Sequence, residues 1–181
     1  GVPVSQSGTI EVNDYLQTRL PNIFACGDVA GPWQFTHTAS HQAWYASVNA
    51  LFGSAKRFAV DRSAIPWCTF TDPEIARVGL NQVDAQAQQV RYEVTRFDLA
   101  ALDRAITDGT QDGWVEVLTA PGTDRLLGAT IVGEHAGEMI TEFIFAMKNK
   151  LGLNKILGTI HVYPTYAEAN KRVAGIWRLH H

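Results

Sequence analysis

Four apolar residues ending in a glycine–aspartate step, Ile23-Phe24-Ala25-Cys26-Gly27-Asp28, constrain this chain more than any other stretch. A short apolar run closed by a turn signal reads as a buried strand. Gly27 omits the Cβ that would keep a ligand away from the backbone. Asp28 then stands at the carboxyl end of the strand, where open α/β sheets bind ligands. An ionised carboxylate there accepts hydrogen bonds from hydroxyls such as those of a sugar or a ribityl chain. Taken alone, the hexapeptide reads equally well as a plain turn, because Gly and Asp are both turn residues.

The flanking sequence divides the chain in two. In residues 1–60, Gly8-Thr9-Ile10-Glu11-Val12 alternates and reads as a strand, followed by the run at Ile23. A helix over 37–52 comes next, with Gly53 as its C-cap and Ala39, Ala43, Ala46 and Ala50 forming a close-packing face. Ser54 to Ser63 is polar and charged and reads as a linker. Residues 64–178 begin with a strand over Pro66-Trp67-Cys68-Thr69-Phe70, and Asn81 with Asp84 signals a capped short helix. The β-rich runs Tyr92–Phe97, Trp114–Leu118 and Leu126–Val132 follow, the last two joined by the turn Pro121-Gly122-Thr123-Asp124. A helix from Ala136 to about Lys150 carries the apolar stripe Met139, Ile140, Phe143, Ile144 and Met147. Strands in a run and then helices predict an α+β domain, an antiparallel sheet with flanking helices.

Three segments in fixed order carry a resemblance. Thr18 with Ile23-Phe24-Ala25 and Gly27-Asp28 resembles the second FAD-binding motif of the pyridine nucleotide-disulfide oxidoreductases, the family of dihydrolipoamide dehydrogenase, glutathione reductase and mercuric reductase. Phe70-Thr71-Asp72-Pro73-Glu74-Ile75-Ala76 and Val78-Gly79-Leu80 resemble the entry to the family's dimerisation domain, and His161-Val162-Tyr163-Pro164-Thr165 with Glu168 resembles its C-terminal active-site segment. The resemblance implies that residues 1–60 are a remnant of an FAD-binding α/β domain and that residues 64–178 are the dimerisation domain. No GxGxxG follows a strand here, so the chain is expected to be the C-terminal part of a longer flavoprotein.

The same resemblance assigns roles. Asp28, next to Gly27, is expected to bind the ribityl chain of FAD. The segment Phe35-Thr36-His37 opens the long helix, whose N–H groups are expected to face the flavin ring. Family members that reduce disulfides usually read His-x-His-Pro-x-x-x-Glu. Here His161 takes the first position, Tyr163 stands where the acid/base histidine is expected, and Glu168 keeps the orienting position. An ordinary tyrosine has a pKa of about 10 against about 6.5 for histidine, so Tyr163 suits hydrogen-bond donation better than proton shuttling.

The expected function is the flavin-pocket and dimerisation part of an FAD-dependent NAD(P)H oxidoreductase, with the NAD(P)H site elsewhere in the protein. The expected partners are a second copy of the chain, in a homodimer, and a small-molecule electron acceptor. The aromatic load at Trp114, Phe143, Phe145 and Trp177 points to a buried interface. The alternative is a non-catalytic dimerisation module derived from the same family. A net charge of −3 offers no basic footprint for nucleic acid, and 46% apolar with 18% charged residues fits a globular protein of the cytoplasm. No apolar run reaches the eighteen or so residues that span a membrane. Cys26 and Cys68 lack zinc or CxxC spacing and read as small buried side chains, and His161 with Glu168 is too sparse a set for a metal.

Overall fold

The computed structural model describes residues 1–181, which fall into two compact units, Gly1–Arg62 and Ser63–His181.

The first unit has almost no sheet. Its pairing consists of two isolated antiparallel bridges, Val4 with Ile10 and Gln17 with Phe24. The alternating segment after Gly8 is therefore a turn closed by a single bridge, not a strand. The Ser5 N–H donates to the Thr9 carbonyl at 2.7 Å, and Ile10 N–H turns away to the Val29 carbonyl at 2.7 Å. The run at Ile23 is likewise extended but short of a strand: Thr18 N–H reaches the Ile23 carbonyl and Ala25 N–H the Leu16 carbonyl. Ile23 and Phe24 are half-buried, and only Ala25 is enclosed. A single turn of 3-10 helix over Gly27–Ala30 leads on to helix α1, Thr36–Phe52. The buried face of α1 is Thr38, Gln42, Ala46 and Asn49. The alanine stripe drawn from the sequence is off by a position, since Ala43 and Ala50 are exposed. Gly53 caps α1 in a right-handed conformation, so its glycine freedom is not used there. The polar stretch read as a linker packs back on the unit. Asn49 binds Phe58, Val60 N–H donates to the Asp14 carbonyl at 2.9 Å, and Val60 joins Leu16 and Ala46 in the small core.

The second unit is an α+β domain. Strands β1 (Pro66–Thr69), β2 (Glu74–Gly79), β3 (Glu93–Asp98), β4 (Trp114–Thr119) and β5 (Leu126–Gly133) make one sheet in the order β1-β2-β5-β4-β3. Every neighbouring pair is antiparallel. The β4–β5 hairpin turns at Pro121-Gly122, as the turn residues require, with Gly122 at φ 67°. The short helices are α2 (Gln82–Ala87), α3 (Asp103–Asp108) and α5 (Leu153–Leu157). Asn81 accepts from Asp84 N–H at 2.8 Å and caps α2. Helix α4 (Ala136–Lys148) lays Met139, Ile140, Phe143 and Ala146 on the core, and α6 (Glu168–Leu179) adds Ala169, Val173, Ala174 and Trp177. Phe143 and Trp177, read as interface aromatics, belong to this internal core, because both stripes face the sheet. Phe145 on the far side of α4 is the one that stays exposed, at 64%.

Candidate functional site

Gly27 and Asp28 are set by the geometry of one turn. Cys26 is extended, and Gly27 then takes φ 73°, a left-handed conformation that an L side chain resists. A Cβ at Gly27 would also lie 3.0 Å from the Ala39 side chain on α1. The Gly27 N–H donates to Gln42 Oε1 at 2.8 Å, inside the unit. Backbone and helix are thus tied together just before Asp28, whose side chain is exposed. Nearby, α1 starts after Phe35, which is extended and gives no side-chain cap. The rings of Phe35 and His37 stack at 5.2 Å, and Thr36 and His37 are exposed. An exposed carboxylate and the positive end of a helix long enough to carry a macrodipole therefore lie within one small unit.

Gln42 and Asn49 escaped the sequence reading. Asn49 donates to the carbonyls of Tyr15 (3.0 Å) and Phe58 (2.9 Å) and accepts from Phe58 N–H at 2.8 Å. Their signal was present: two amides seven residues apart, on the face that also carries Ala46.

In the second unit Tyr163 sits on the segment between α5 and α6 and is 65% exposed. The ends of that segment are tied down. The His161 ring is nearly enclosed: Nε2 faces Glu142 Oε1 at 2.9 Å and Nδ1 faces the Thr159 carbonyl at 3.1 Å. Glu142 also accepts from the buried Asn170 amide at 3.0 Å, so α4, α6 and the segment meet at one carboxylate. On the other side of Tyr163 the buried Tyr166 hydroxyl lies 2.6 Å from Thr110 Oγ1 and donates to Asp108 Oδ2 at 2.9 Å. Its ring packs on His135 at 5.0 Å.

The charges follow. The Tyr163 hydroxyl is held above its ordinary pKa, chiefly by the Asp103 carboxylate, with burial and Glu168 adding smaller pushes and Arg172 opposing them. Burial, more than its hydrogen bond to Asp108, raises Tyr166. Asp108 is lowered, mainly because Tyr166 donates to it and then because of Arg104. Burial and the neighbouring Glu74 push the Cys68 thiol up, which keeps it protonated and a poor nucleophile. Glu168 opens α6, where an acid suits the helix dipole, and lines an open groove of about 760 Å³ with His161, Lys171 and Arg172. Tyr163 is not among the residues that line it.

No helix is long and apolar enough to cross a membrane. Residues 65–174 match the pyridine nucleotide-disulphide oxidoreductase dimerisation domain, and residues 1–43 match the pyridine nucleotide-disulphide oxidoreductase domain. Dihydrolipoyl dehydrogenase of Chlamydia trachomatis is 39% identical over 168 residues, 93% of this chain and 36% of that protein. The mitochondrial dihydrolipoyl dehydrogenase of Homo sapiens is 35% identical over 169 residues, 93% of this chain and 33% of that protein. Among solved structures, LpdA from Mycobacterium tuberculosis superposes with a TM-score of 0.88 at 25% identity, over 99% of this chain and 38% of that one. The HOCl-induced flavoprotein disulfide reductase RclA from Escherichia coli gives 0.85 at 26% identity, over 97% of this chain and 40% of that one. The chain spans 36% of the length of the chlamydial relative. With its sheet order, its helices and both parts of its sequence in agreement, the chain belongs to the pyridine nucleotide-disulphide oxidoreductase family.

Proposed function

We propose that the chain is the flavin-contacting C-terminal part and dimerisation domain of an FAD-dependent NAD(P)H oxidoreductase, a two-fold homodimer that reduces a small-molecule acceptor. The observation that carries this reading is the junction of Gly27-Asp28 with α1. A glycine whose left-handed backbone disfavours a side chain precedes an exposed carboxylate, beside a seventeen-residue helix whose first residue has no side-chain cap. These residues fit the group. Asp28 would accept hydrogen bonds from ribityl hydroxyls, and the N–H groups of the first turn of α1, at Thr36 and His37, would favour negative charge on the ring. FAD, when bound, supplies two-electron transfer between a reduced nicotinamide and the acceptor.

In the second unit Tyr163 would stand where the family's acid/base histidine is expected. Its phenol is kept protonated by the neighbouring carboxylates, so it acts as a neutral donor and does not abstract a proton near neutral pH. This favours direct reduction of an acceptor over dithiol–disulfide exchange.

The test is made on the full-length flavoprotein. Asp28→Ala should weaken FAD binding roughly 10- to 150-fold, the equivalent of about 1.5–3 kcal/mol for a hydrogen bond to a charged group. Flavin absorbance after dialysis reads the outcome. Retention of FAD as tight as in the parent protein would overturn the reading, as would a monomeric mass by light scattering at high concentration.

A further inference from the structure

Helix α6 has two faces. One buries Ala169, Val173, Ala174 and Trp177 in the core of the second unit. The other carries Glu168, Lys171, Arg172, Gly175, Arg178 and Leu179, which recur at helical spacing and line the open groove of about 760 Å³. Phe97 of β3, Leu157 of α5 and Ile176 complete the groove with apolar surface.

We propose that this groove docks an acidic amphipathic helix of a partner protein, laid along α6 with its apolar stripe over Gly175.

The charge of the groove sets the sign of the partner. Lys171, Arg172 and Arg178 face a single carboxylate, Glu168, in a chain whose net charge is −3. Arg172 and Arg178 are exposed, and no carboxylate of the chain lies within ion-pairing distance of either. Lys171 donates to the Thr159 carbonyl at 3.1 Å and keeps two further N–H groups for a partner. Lys171 and Arg178 are seven residues apart, about 10 Å along the helix axis. One small anion cannot meet both, whereas acidic residues two turns apart on a docked helix can. A second copy of the same groove suits it poorly, because a two-fold contact would set cations against cations.

Gly175 carries the argument for a helix. It lies inside α6, where glycine is less favourable than alanine. The fold does not need it there. A Cβ at that position would meet only Leu157 Cδ1, at 3.8 Å, an ordinary contact. Seen from the groove the glycine has a use: without a side chain on that turn, a second helix can approach the α6 backbone closely. The partner's apolar stripe would then reach Leu157 and Ile176 while its acids meet the cations on either side.

The test uses the full-length flavoprotein and a fluorescein-labelled synthetic helix with a leucine stripe flanked by glutamates. Fluorescence anisotropy should show binding that weakens as salt is raised. The same peptide with lysine for every glutamate, or alanine for every leucine, should bind at least tenfold more weakly. Replacing both Arg172→Gln and Arg178→Gln should weaken the glutamate peptide about tenfold. Gly175→Leu should do the same by filling the groove. Gly175→Ala separates fold from docking: it should raise the melting temperature and still weaken the peptide. A lower melting temperature for Gly175→Ala would mean that the glycine serves α6 itself, and overturns the proposal. So does equal binding of the lysine peptide, or no binding of the glutamate peptide to the flavoprotein dimer, the result expected if the rest of the protein or a second copy already fills the groove.

Discussion

Between Ser63 and His181 the backbone polar groups are paired mainly across a five-stranded ladder and along α4 and α6, and an extensive apolar core lies between them. Between Gly1 and Arg62, outside α1, the only sheet pairing is two isolated bridges, and the core is Leu16, Ala46 and Val60. There, side chains take over the ladder's work. Asn13 accepts from Tyr15 and Gln17 N–H, Gln42 from Gly27 N–H, and Asn49 joins the strands of chain at Tyr15 and Phe58. A buried backbone group must be paired by some means. Where no ladder forms, amides on a helix can do it, and they leave the backbone free to bend sharply at a site such as Gly27-Asp28. The contrast teaches that the second unit is held by apolar burial, and the first by a few polar contacts.

Four substitutions would break or sharpen this contrast. Phe143→Ala should have the largest effect, about 3–5 kcal/mol, because the ring is fully enclosed between α4 and the sheet. Denaturant unfolding followed by circular dichroism measures it, and a loss near 1 kcal/mol would show that apolar burial is not what holds the second unit. Asn49→Ala should cost about 2 kcal/mol by orphaning groups on Tyr15 and Phe58. Hydrogen exchange at Phe58 should accelerate while β4 keeps its protection; equal loss in β4 would erase the distinction. Gly27→Ala should cost about 1–2 kcal/mol, from the left-handed backbone and the contact with Ala39. A melting temperature equal to that of the parent would mean that the turn relaxes freely.

The smallest effect concerns pH. Asp108 has its pKa lowered in the folded protein by Tyr166 and Arg104. A depressed carboxyl contributes stability above its unfolded pKa, near 4, and loses it as the pH falls through the folded value. The melting temperature of the parent should therefore exceed that of Asp108→Asn at neutral pH, and the gap should close in acid. A gap that widened in acid would reverse the assignment.

Much of the second unit was legible because its signals are local. Pro121-Gly122 fixes the hairpin, and Met139, Ile140 and Phe143 repeat at helical spacing. Strand β2 was not read, since its inward residues are Ala76 and Val78 while the larger Ile75 points outward, which hides the alternation. Helix α6 was missed because its buried face mixes Ala169, Asn170 and Ala174 with Val173 and Trp177 and so looks weakly apolar. At the site, Gly27 and Asp28 announce themselves as a turn with a carboxylate. Asp108 does not, because it reaches Tyr166 across more than fifty residues of chain. Such partners depend on tertiary packing, and no local pattern encodes them.

The sheet order has a consequence for how the domain is born. β5 is the last strand in the sequence, yet it lies at the centre, between β2 and β4. Before it leaves the ribosome, the preceding strands can form only two separate ribbons, β1 with β2 and β3 with β4. Two-stranded ribbons are marginal in water, and each would show an unpaired edge to any neighbour in the same state. A chain arrested anywhere before Leu126 thus has no half-built sheet to rest in, and the arrival of a single strand converts two fragile ribbons into one domain.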